Sequence, residues 1–191
     1  MEALTVDFKS VIELTDEQFY QLCRSNPDIR FERNATGELI IMPPVGGETG
    51  NRNGRVTQQL FNWSDIDNTG IAFDSSTGFK LPNGAERSPD ASWIKLVRWN
   101  ALTPEQQTGF LPLAPDFVIE LLSPSDSLNV TQKKMEEYKS NGVCLGWLIN
   151  RKLRQVEIYR IGHEVEFLDN PSSLSGEDIL PGFMLNLEAI W

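Results

Sequence analysis

The chain reads DFVIELLSPSDSLNVTQKKMEEYKSNGV over residues 116–143, and this stretch decides the fold. Its first part, Asp116 to Leu122, is an apolar run with one internal charge, and prolines bound the run at positions 115 and 124. A run of this length between such boundaries is typical of a buried strand. The segment from Thr131 to Asn141 shows helical spacing of its apolar residues and predicts a helix that crosses over to the next strand.

The internal charge of the predicted strand is Glu120, and a buried carboxylate needs a partner. Left unpaired it would cost on the order of several kcal/mol, so it should hold a cation, contact a metal or be protonated. At about 100° per residue, Lys134 borders the apolar face of the following helix on the Tyr138 side, whereas Lys133 points nearly opposite. We therefore expect Lys134 to lean over the sheet and Lys133 to be solvated.

The composition is that of an ordinary globular protein. With 191 residues, 40% hydrophobic and 23% charged, the sequence predicts one domain over residues 1–191. Its apolar runs are shorter than a membrane span and its N-terminus lacks the pattern of a signal peptide, so we expect a cytoplasmic protein. The two cysteines have neither a CxxC motif nor a histidine cluster near them and indicate no zinc site. The net charge of -10 argues against a broadly basic surface that coats nucleic acid.

The rest of the chain alternates predicted strands and helices. Residues 31–33 and 38–42 predict a hairpin. A glycine-rich loop over residues 45–52 precedes a helix over 53–63; it lacks the GK[ST] ending of a phosphate-binding loop, so we interpret it as a flexible lead into the helix. A short amphipathic helix is predicted over residues 14–22, and further strands over 71–74, 78–81, 91–96, 143–150, 154–159 and 164–168. This order predicts an α/β fold with a mixed β-sheet core flanked by helices.

The available side chains favour carboxylate and lysine chemistry. The single histidine, His163, lies in a predicted turn, and one such residue does not build a Ser/His/Asp system or a histidine-rich metal site. Two carboxylates on adjacent strands form a hard oxygen site for Mg²⁺ or Mn²⁺, ions that activate water and neutralise a scissile phosphate. A nearby ammonium can orient that water or stabilise the developing charge. The combination is typical of phosphodiester hydrolysis.

Three Pro-Asp steps compete as the source of the second carboxylate. Asp116 lies four residues from Glu120, about 13 Å along a strand, too far to share one ion. Asp28 follows the first helix in a polar loop. Asp90, at the start of its own strand, comes to lie beside Glu120 if the two strands pair, and we select it.

Several motifs together carry a resemblance to a known family. They are SPDASWI at 88–94, PDFVIELLSPSDS at 115–127, KMEEYKSNGV at 134–143 and GWLIN at 146–150. In order and spacing they resemble the Uma family of restriction endonucleases, within the PD-(D/E)xK nuclease superfamily. The similarity runs from the GELIIMPP hairpin at 37–44 to LPGF at 180–183.

The resemblance implies a restriction-endonuclease-like core in which Asp90 and Glu120 hold Mg²⁺ or Mn²⁺. The superfamily pattern has a lysine two residues after the glutamate, where this chain has Leu122. In the Uma family the lysine lies on the next helix, which matches Lys134. Many relatives read WLxDP where this chain has Asn150, a departure that we expect to alter a loop contact and not metal binding.

Four further side chains are candidates for supporting roles. Glu48, at the start of the first core helix, is a candidate for a contact to the metal or to one of its ligands. Arg52, Arg55 and Arg87 are candidates for phosphate contacts, although ordinary surface charge explains each of them as well.

The predicted function is a metal-dependent endonuclease that acts on DNA, and analogy with restriction enzymes that cut both strands favours a homodimer. Because the net charge of the chain is negative, binding of DNA then requires a basic groove confined to one face, or a partner that supplies the positive charge. The main alternative is a non-catalytic binding or regulatory protein on a nuclease scaffold, in which Glu120 and Lys134 form only a salt bridge. A third possibility, a phosphate-ester hydrolase of small nucleotides, would share the site.

Overall fold

The computed structural model describes residues 3–8 and 11–191. Its helices are α1 (Asp16–Ser25), α2 (Gly47–Asp67), α3 (Leu96–Trp99), α4 (Pro104–Thr108) and α5 (Leu128–Ser140). Its strands are β1 (Leu4–Val6), β2 (Arg30–Arg33), β3 (Leu39–Met42), β4 (Gly70–Asp74), β5 (Phe79–Lys80), β6 (Glu86–Arg87), β7 (Ala91–Lys95), β8 (Phe117–Leu122), β9 (Leu145–Asn150), β10 (Gln155–Arg160), β11 (Glu166–Asp169), β12 (Ser173–Ser175) and β13 (Met184–Asn186).

A six-stranded sheet in the order β11-β10-β9-β8-β7-β4 forms the centre of the fold. Strands β8 and β9 are parallel, with α5 as the crossover between them, and the other neighbouring strands are antiparallel. Both β8 and β9 read as nearly continuous apolar runs because both faces of the sheet are covered. The predicted strand, crossover helix and parallel strand are confirmed.

The two faces of this sheet carry separate apolar cores. On one face, Val56 and Leu60 of α2 pack with the odd-numbered positions of β8, such as Ile119. On the other face, Met135 and Tyr138 of α5 pack with Val118 and with residues of β9. Because side chains alternate along a strand, the even-numbered positions of β8 all face α5. The glutamate at position 120 therefore lies on the α5 side.

A second sheet has the order β1-β3-β2-β6-β5. The predicted hairpin is confirmed as β2 and β3, which pair antiparallel. The predicted strand at 78–81 contains β5, whereas β6 and the pairing that joins these strands into one sheet were not predicted, because β6 has two residues and shows no periodicity. This sheet brings buried charged residues towards α5, and they enter the site described below.

The glycine-rich segment differs from its predicted form. Helix α2 begins at Gly47, so residues 47–52 belong to the helix and the expected flexible lead is wrong. Gly46 is the extended cap residue, and Glu48 places a negative charge in the first turn, where the helix dipole favours it. Glycine lowers helix propensity, but in a helix of 21 residues the packing of buried side chains such as Thr49 and Val56 outweighs that cost.

The last part of the chain docks on the α2 face of the central sheet. Strands β12 and β13 form a two-stranded ladder. The ring of Phe183 stacks on Trp147, with centroids 6.0 Å apart and an interplanar angle of 13°. Among the helices that the structure describes, none is long and apolar enough to cross a membrane.

Candidate active site

Two carboxylates lie at paired positions where β7 begins, between two inner strands of the central sheet. The register of β7 and β8 pairs Ala91 with Ile119, so Asp90 and Glu120 occupy the next pair of positions. The backbone N–H of Leu121 donates to Asp90 Oδ2 over 2.8 Å and fixes that side chain against β8. The strand pairing on which the choice of Asp90 depended is therefore present.

The other two Pro-Asp steps lie elsewhere. The Asp116 carboxylate accepts a hydrogen bond from the backbone N–H of Lys95 over 2.9 Å and lies 3.0 Å from the Arg98 guanidinium. These contacts tie Asp116 to the far end of β7. Asp28 is exposed in the turn after α1. Only Asp90 occupies the position next to Glu120.

Glu120 is buried and shares its Oε1 atom between two donors. Lys134 Nζ lies 2.8 Å away, and the Tyr138 hydroxyl donates over 3.0 Å. Burial raises the pKa of Glu120 to about 7 against the opposing charge of Lys134, and the negative charge of Asp90 raises it further. The site therefore stabilises the Glu120 carboxylate poorly in the absence of additional positive charge.

Lys134 bridges two carboxylates from different sheets. Its Nζ atom lies 2.8 Å from both Glu120 Oε1 and Glu32 Oε1. Burial alone would lower the pKa of Lys134, but these two charges outweigh it and hold the pKa well above the usual range. The side chain remains an ammonium and acts as a donor, not as a base. The predicted contrast is confirmed, because Lys133 is exposed.

A buried ion-pair network holds Lys134 in place, and its members come from the second sheet and α5. Glu32 accepts from Lys134, from the Ser88 backbone N–H over 3.0 Å and from Arg87 Nη1 over 3.0 Å. Arg87 Nε in turn donates to Glu137 over 2.6 Å. The phosphate contact expected of Arg87 is thus replaced by an internal role, because its guanidinium is buried between two carboxylates.

Asn53 of α2 completes the environment of Asp90. Its Nδ2 atom donates to Asp90 Oδ1 over 3.0 Å. Its Oδ1 atom is buried and has no hydrogen-bond partner among residues 3–8 and 11–191. Burial raises the pKa of Asp90 above its usual range, although the hydrogen bond from Leu121 opposes this. An acceptor without a donor, beside two carboxylates of raised pKa, is a suitable environment for a cation.

The donor set for a metal combines two carboxylates with an amide oxygen. In the described part of the chain, no group of three or more His, Cys, Asp or Glu side chains could hold an ion. Asp90, Glu120 and Asn53 together present oxygen atoms of the type that Mg²⁺ prefers, with water free to fill other positions. The residues present therefore fit a hard divalent cation.

The remaining predicted residues lie on the rim of this site or beyond it. Glu48 is exposed, and its partners are Arg52 at 2.8 Å and Arg151 at 2.9 Å, not Asp90 or Glu120. Arg52 also donates to the backbone carbonyls of residues 190 and 191. Arg55 is exposed on α2. The buried Asn150 accepts from the Leu153 backbone N–H over 3.2 Å and so caps the turn after β9, a loop contact of the kind expected.

Sequence reasoning missed Glu32, Asn53 and Arg151. Glu32 gave a weak signal, since it is a charged residue inside a predicted strand, as Glu120 is. Nothing in the sequence showed that the hairpin containing it would lie over α5. Asn53 gave no signal, because an asparagine in a polar stretch of helix has no pattern of its own.

Comparison with known protein families places this chain in one of them. The family model described as "Uma2: Putative restriction endonuclease" matches residues 16–188. The chain belongs to the Uma2 family. No curated protein matches this Uma2 chain.

The Uma2 fold is also found in a solved structure, described as "Crystal structure of a putative nuclease belonging to DUF820 from Anabaena variabilis ATCC 29413 at 1.96 A resolution". The TM-score is 0.76 at 22% identity, over 93% of this chain and 97% of that chain. At this identity the likeness shows the fold. The predicted fold class, a restriction-endonuclease-like mixed sheet flanked by helices, is confirmed for this Uma2 protein.

Proposed function

We propose that this Uma2 protein is a metal-dependent endonuclease that hydrolyses phosphodiester bonds in DNA. One observation carries the proposal: the carboxylates of Asp90 and Glu120 occupy paired positions between two neighbouring inner strands, with the Lys134 ammonium 2.8 Å from Glu120. Two acidic oxygen donors and one fixed cation form the minimal set for phosphoryl chemistry. Membership of a nuclease family supports the same reaction class.

Asp90 and Glu120 would hold Mg²⁺ or Mn²⁺, and Asn53 Oδ1 would offer a further oxygen. When bound, such an ion supplies Lewis acidity and a water molecule of lowered pKa. The chain prepares this site by tying Asp90 to the Leu121 amide. Tyr138 and Lys134 restrict Glu120 in the same way.

Lys134 would stabilise the negative charge that develops at the phosphate, or orient the attacking water. Its ammonium is a permanent donor held between Glu120 and Glu32, so the charge is preorganised and requires no rearrangement during the reaction. Glu32 is a positioning residue in this scheme, because it touches Lys134 and not the reacting atoms. Arg87 fixes Glu32 in turn.

A purely structural salt bridge explains the site less well. Such a bridge stabilises its carboxylate, and Glu32 behaves in this way, because Lys134 and Arg87 lower its pKa in spite of burial. The pKa of Glu120 moves in the opposite direction, to about 7, although the same lysine contacts it. Together with Asp90, Glu120 forms a locally under-compensated negative charge, which favours a site that binds a cation over a scaffold that has lost its chemistry.

The test is cleavage of supercoiled plasmid and of single-stranded DNA, with Mg²⁺ or Mn²⁺ and with chelator. We expect metal-dependent nicking by the wild type and its loss in Glu120→Gln and Asp90→Asn, since each removes a charged oxygen ligand. Asp28→Asn is the matched control, because Asp28 is an exposed Pro-Asp aspartate outside the site. Cleavage by Glu120→Gln at the wild-type rate would refute the proposal, and so would hydrolysis of small nucleotides without any action on the polymer.

Binding of Mn²⁺ gives a second readout that does not require turnover. A site formed only in the folded chain raises the melting temperature by mass action. We expect this stabilisation in the wild type and its loss in Asp90→Asn. A homodimer would bring two such sites to the two strands of a duplex, and sedimentation of the protein with and without duplex DNA tests that assembly.

A further inference from the structure

A basic cavity adjoins the proposed metal site. It has a volume of about 660 Å³ and is walled by the ends of β8 and β9 and by the first turns of α2 and α5. Leu122 and Ser123, which follow Glu120 by two and three residues, line it. Leu122 directly follows Leu121, whose backbone N–H donates to Asp90, and Asp126 also lines the cavity. The cavity is therefore next to the carboxylate pair.

The charge of the cavity lining is opposite in sign to the net charge of the whole chain. The chain carries a net charge of -10, yet four basic side chains and only two acidic ones line this space. The basic residues are Arg52, Arg151, Lys152 and Arg154, and the acidic residues are Glu48 and Asp126. Such a local surplus of positive charge attracts anions to a protein that otherwise repels them.

Arg151 is an incompletely paired arginine in the wall of this cavity. Its side chain is 12% exposed, and Nη2 lies 2.9 Å from Glu48 Oε1. Its Nε and Nη1 atoms are buried and have no hydrogen-bond partner in the part of the chain that the structure describes. Unpaired guanidinium donors are costly, so Arg151 gains from a further acceptor beside Glu48.

We propose that this cavity binds a phosphate group of the nucleic-acid substrate beside the cleaved bond, with Arg151 as its anchor. The inference rests on the proposed function, since a nuclease substrate carries phosphates on both sides of the scissile one. A phosphate can accept from Nε and Nη2, which form one edge of the guanidinium, once Glu48 releases Nη2. Glu48 occupies the arginines in the free protein and competes with the incoming anion.

The phosphate can belong to a strand terminus or to an internal phosphodiester. The probes are inorganic phosphate, a short single-stranded oligonucleotide with a 5′-phosphate, and the same oligonucleotide with a 5′-hydroxyl. Binding is measured by titration of the full chain in chelator, where no cleavage occurs. The variants are Arg151→Met and, as a control of equal charge change, Arg24→Met, because Arg24 is exposed on α1 and outside the cavity.

We expect Arg151→Met to weaken binding of inorganic phosphate and of the oligonucleotide about tenfold or more, and Arg24→Met to change it less than about twofold. A wild-type preference for the 5′-phosphorylated strand that disappears in Arg151→Met assigns the cavity to a terminal phosphate. Equal binding of both oligonucleotides, weakened equally by the variant, assigns it to an internal one. Unchanged affinities of Arg151→Met for all three probes would overturn the proposal.

Glu48→Gln tests the same site while keeping Arg151, so the proposal stays testable if Arg151→Met does not fold. The melting curve of Arg151→Met is recorded to detect such a defect. Removing the competing carboxylate should tighten phosphate binding about threefold or more, and weaker binding by this variant would contradict the assignment.

The proposed nuclease activity and the proposed phosphate site can be refuted separately. Phosphate binding that depends on Arg151 without any cleavage by the wild type refutes the nuclease alone, whereas cleavage with unchanged binding by Arg151→Met refutes the phosphate site alone.

Discussion

Neighbouring lysines on α5 have opposite environments, and the difference gives a matched experiment. Lys134 is buried between Glu32 and Glu120, while Lys133 is exposed. We expect Lys134→Ala to lower the cleavage rate by about a hundredfold or more, because a preorganised charge is lost. Lys133→Ala should remain within about twofold of the wild type.

Lys134→Ala also removes the positive charge that pairs with the buried carboxylates of Glu32 and Glu120. Lys134→Ala should therefore melt at a lower temperature than the wild type, by an amount consistent with the loss of about 3–5 kcal/mol for a broken buried pair. Rates are measured below that melting temperature. Cleavage by folded Lys134→Ala at the wild-type rate would remove the lysine from the mechanism.

Glu86 provides a pH-dependent contribution to stability outside the active site. It is 3% exposed, and its Oε2 atom forms an ion pair with Arg33 Nε at 3.0 Å. Within the described residues, no donor meets this oxygen with the geometry of a hydrogen bond. Burial raises the pKa of Glu86 from 4.5 to about 7, and Arg33 only partly opposes this. The folded chain therefore binds this proton more tightly than the unfolded chain does.

The stabilising contribution of Glu86 is full below pH 4.5 and is lost as the pH rises to about 7. Glu86→Gln cannot titrate, so the free energy of unfolding of the wild type, minus that of the variant, should fall across this window by up to about 1.4 kcal/mol per pH unit. Urea titrations at several pH values between 4.5 and 8 measure the difference. A difference that stays flat would show that Arg33 neutralises the charge completely.

At the residue scale, the sequence was informative at Glu120, where a charge interrupts an apolar strand, but not at Glu32. Asp90 and Glu120 could be paired in advance because each lies at a predicted strand whose face was readable. Asn53 and Arg151 could not be predicted, since both enter through contacts between segments that are distant in the chain. Their buried, unpartnered atoms are visible only in three dimensions.

Two glycines in different elements should respond oppositely to the same substitution. At Gly70, the start of β4, an added Cβ would lie 2.2 Å from the Trp93 ring and 2.3 Å from the Ile94 carbonyl oxygen. The backbone oxygen cannot move aside, so Gly70→Ala should destabilise the protein by about 1–3 kcal/mol or more. At Gly54 of α2 an added Cβ meets nothing within 4 Å, and Gly54→Ala should stabilise the protein by about 0.5–1 kcal/mol.

Urea denaturation of both variants measures these changes against the wild type. The opposite signs separate close strand packing from helix propensity, because the added methyl group is the same. A stable Gly70→Ala protein would mean that β4 can shift away from β7. A destabilised Gly54→Ala protein would mean that this turn of α2 depends on glycine for a reason other than propensity.

At the element scale, long periodic segments were predictable, whereas β6 and the glycine-rich start of α2 were not. The β8-α5-β9 unit agrees with its prediction to within a few residues, because its apolar pattern is continuous. The start of α2 was misplaced because local composition favoured a loop, while packing of the whole helix decided the outcome. The two-residue strands β5 and β6 are defined by their neighbours and not by their own residues.

At the scale of the whole molecule, an acidic chain must bring a polyanion to a buried acidic site. The net charge of -10 follows from composition alone, but composition cannot show where the positive charges lie. The structure places four basic side chains around one cavity beside the carboxylate pair. Because the rest of the surface repels DNA, we expect few phosphates to be neutralised when the substrate binds, and that number can be measured.

Counterion release relates this number to the salt dependence of binding. Each phosphate neutralised on duplex DNA contributes a slope of about -0.9 in a plot of log affinity against log salt concentration. Four basic side chains therefore limit the slope to about -4 per site, measured by fluorescence anisotropy with Glu120→Gln in chelator over about 50–200 mM salt. Arg151→Met should make the slope shallower by about 1. A slope steeper than about -4 would show that a second subunit or another surface supplies further positive charge, because the lining of this cavity contains four basic side chains.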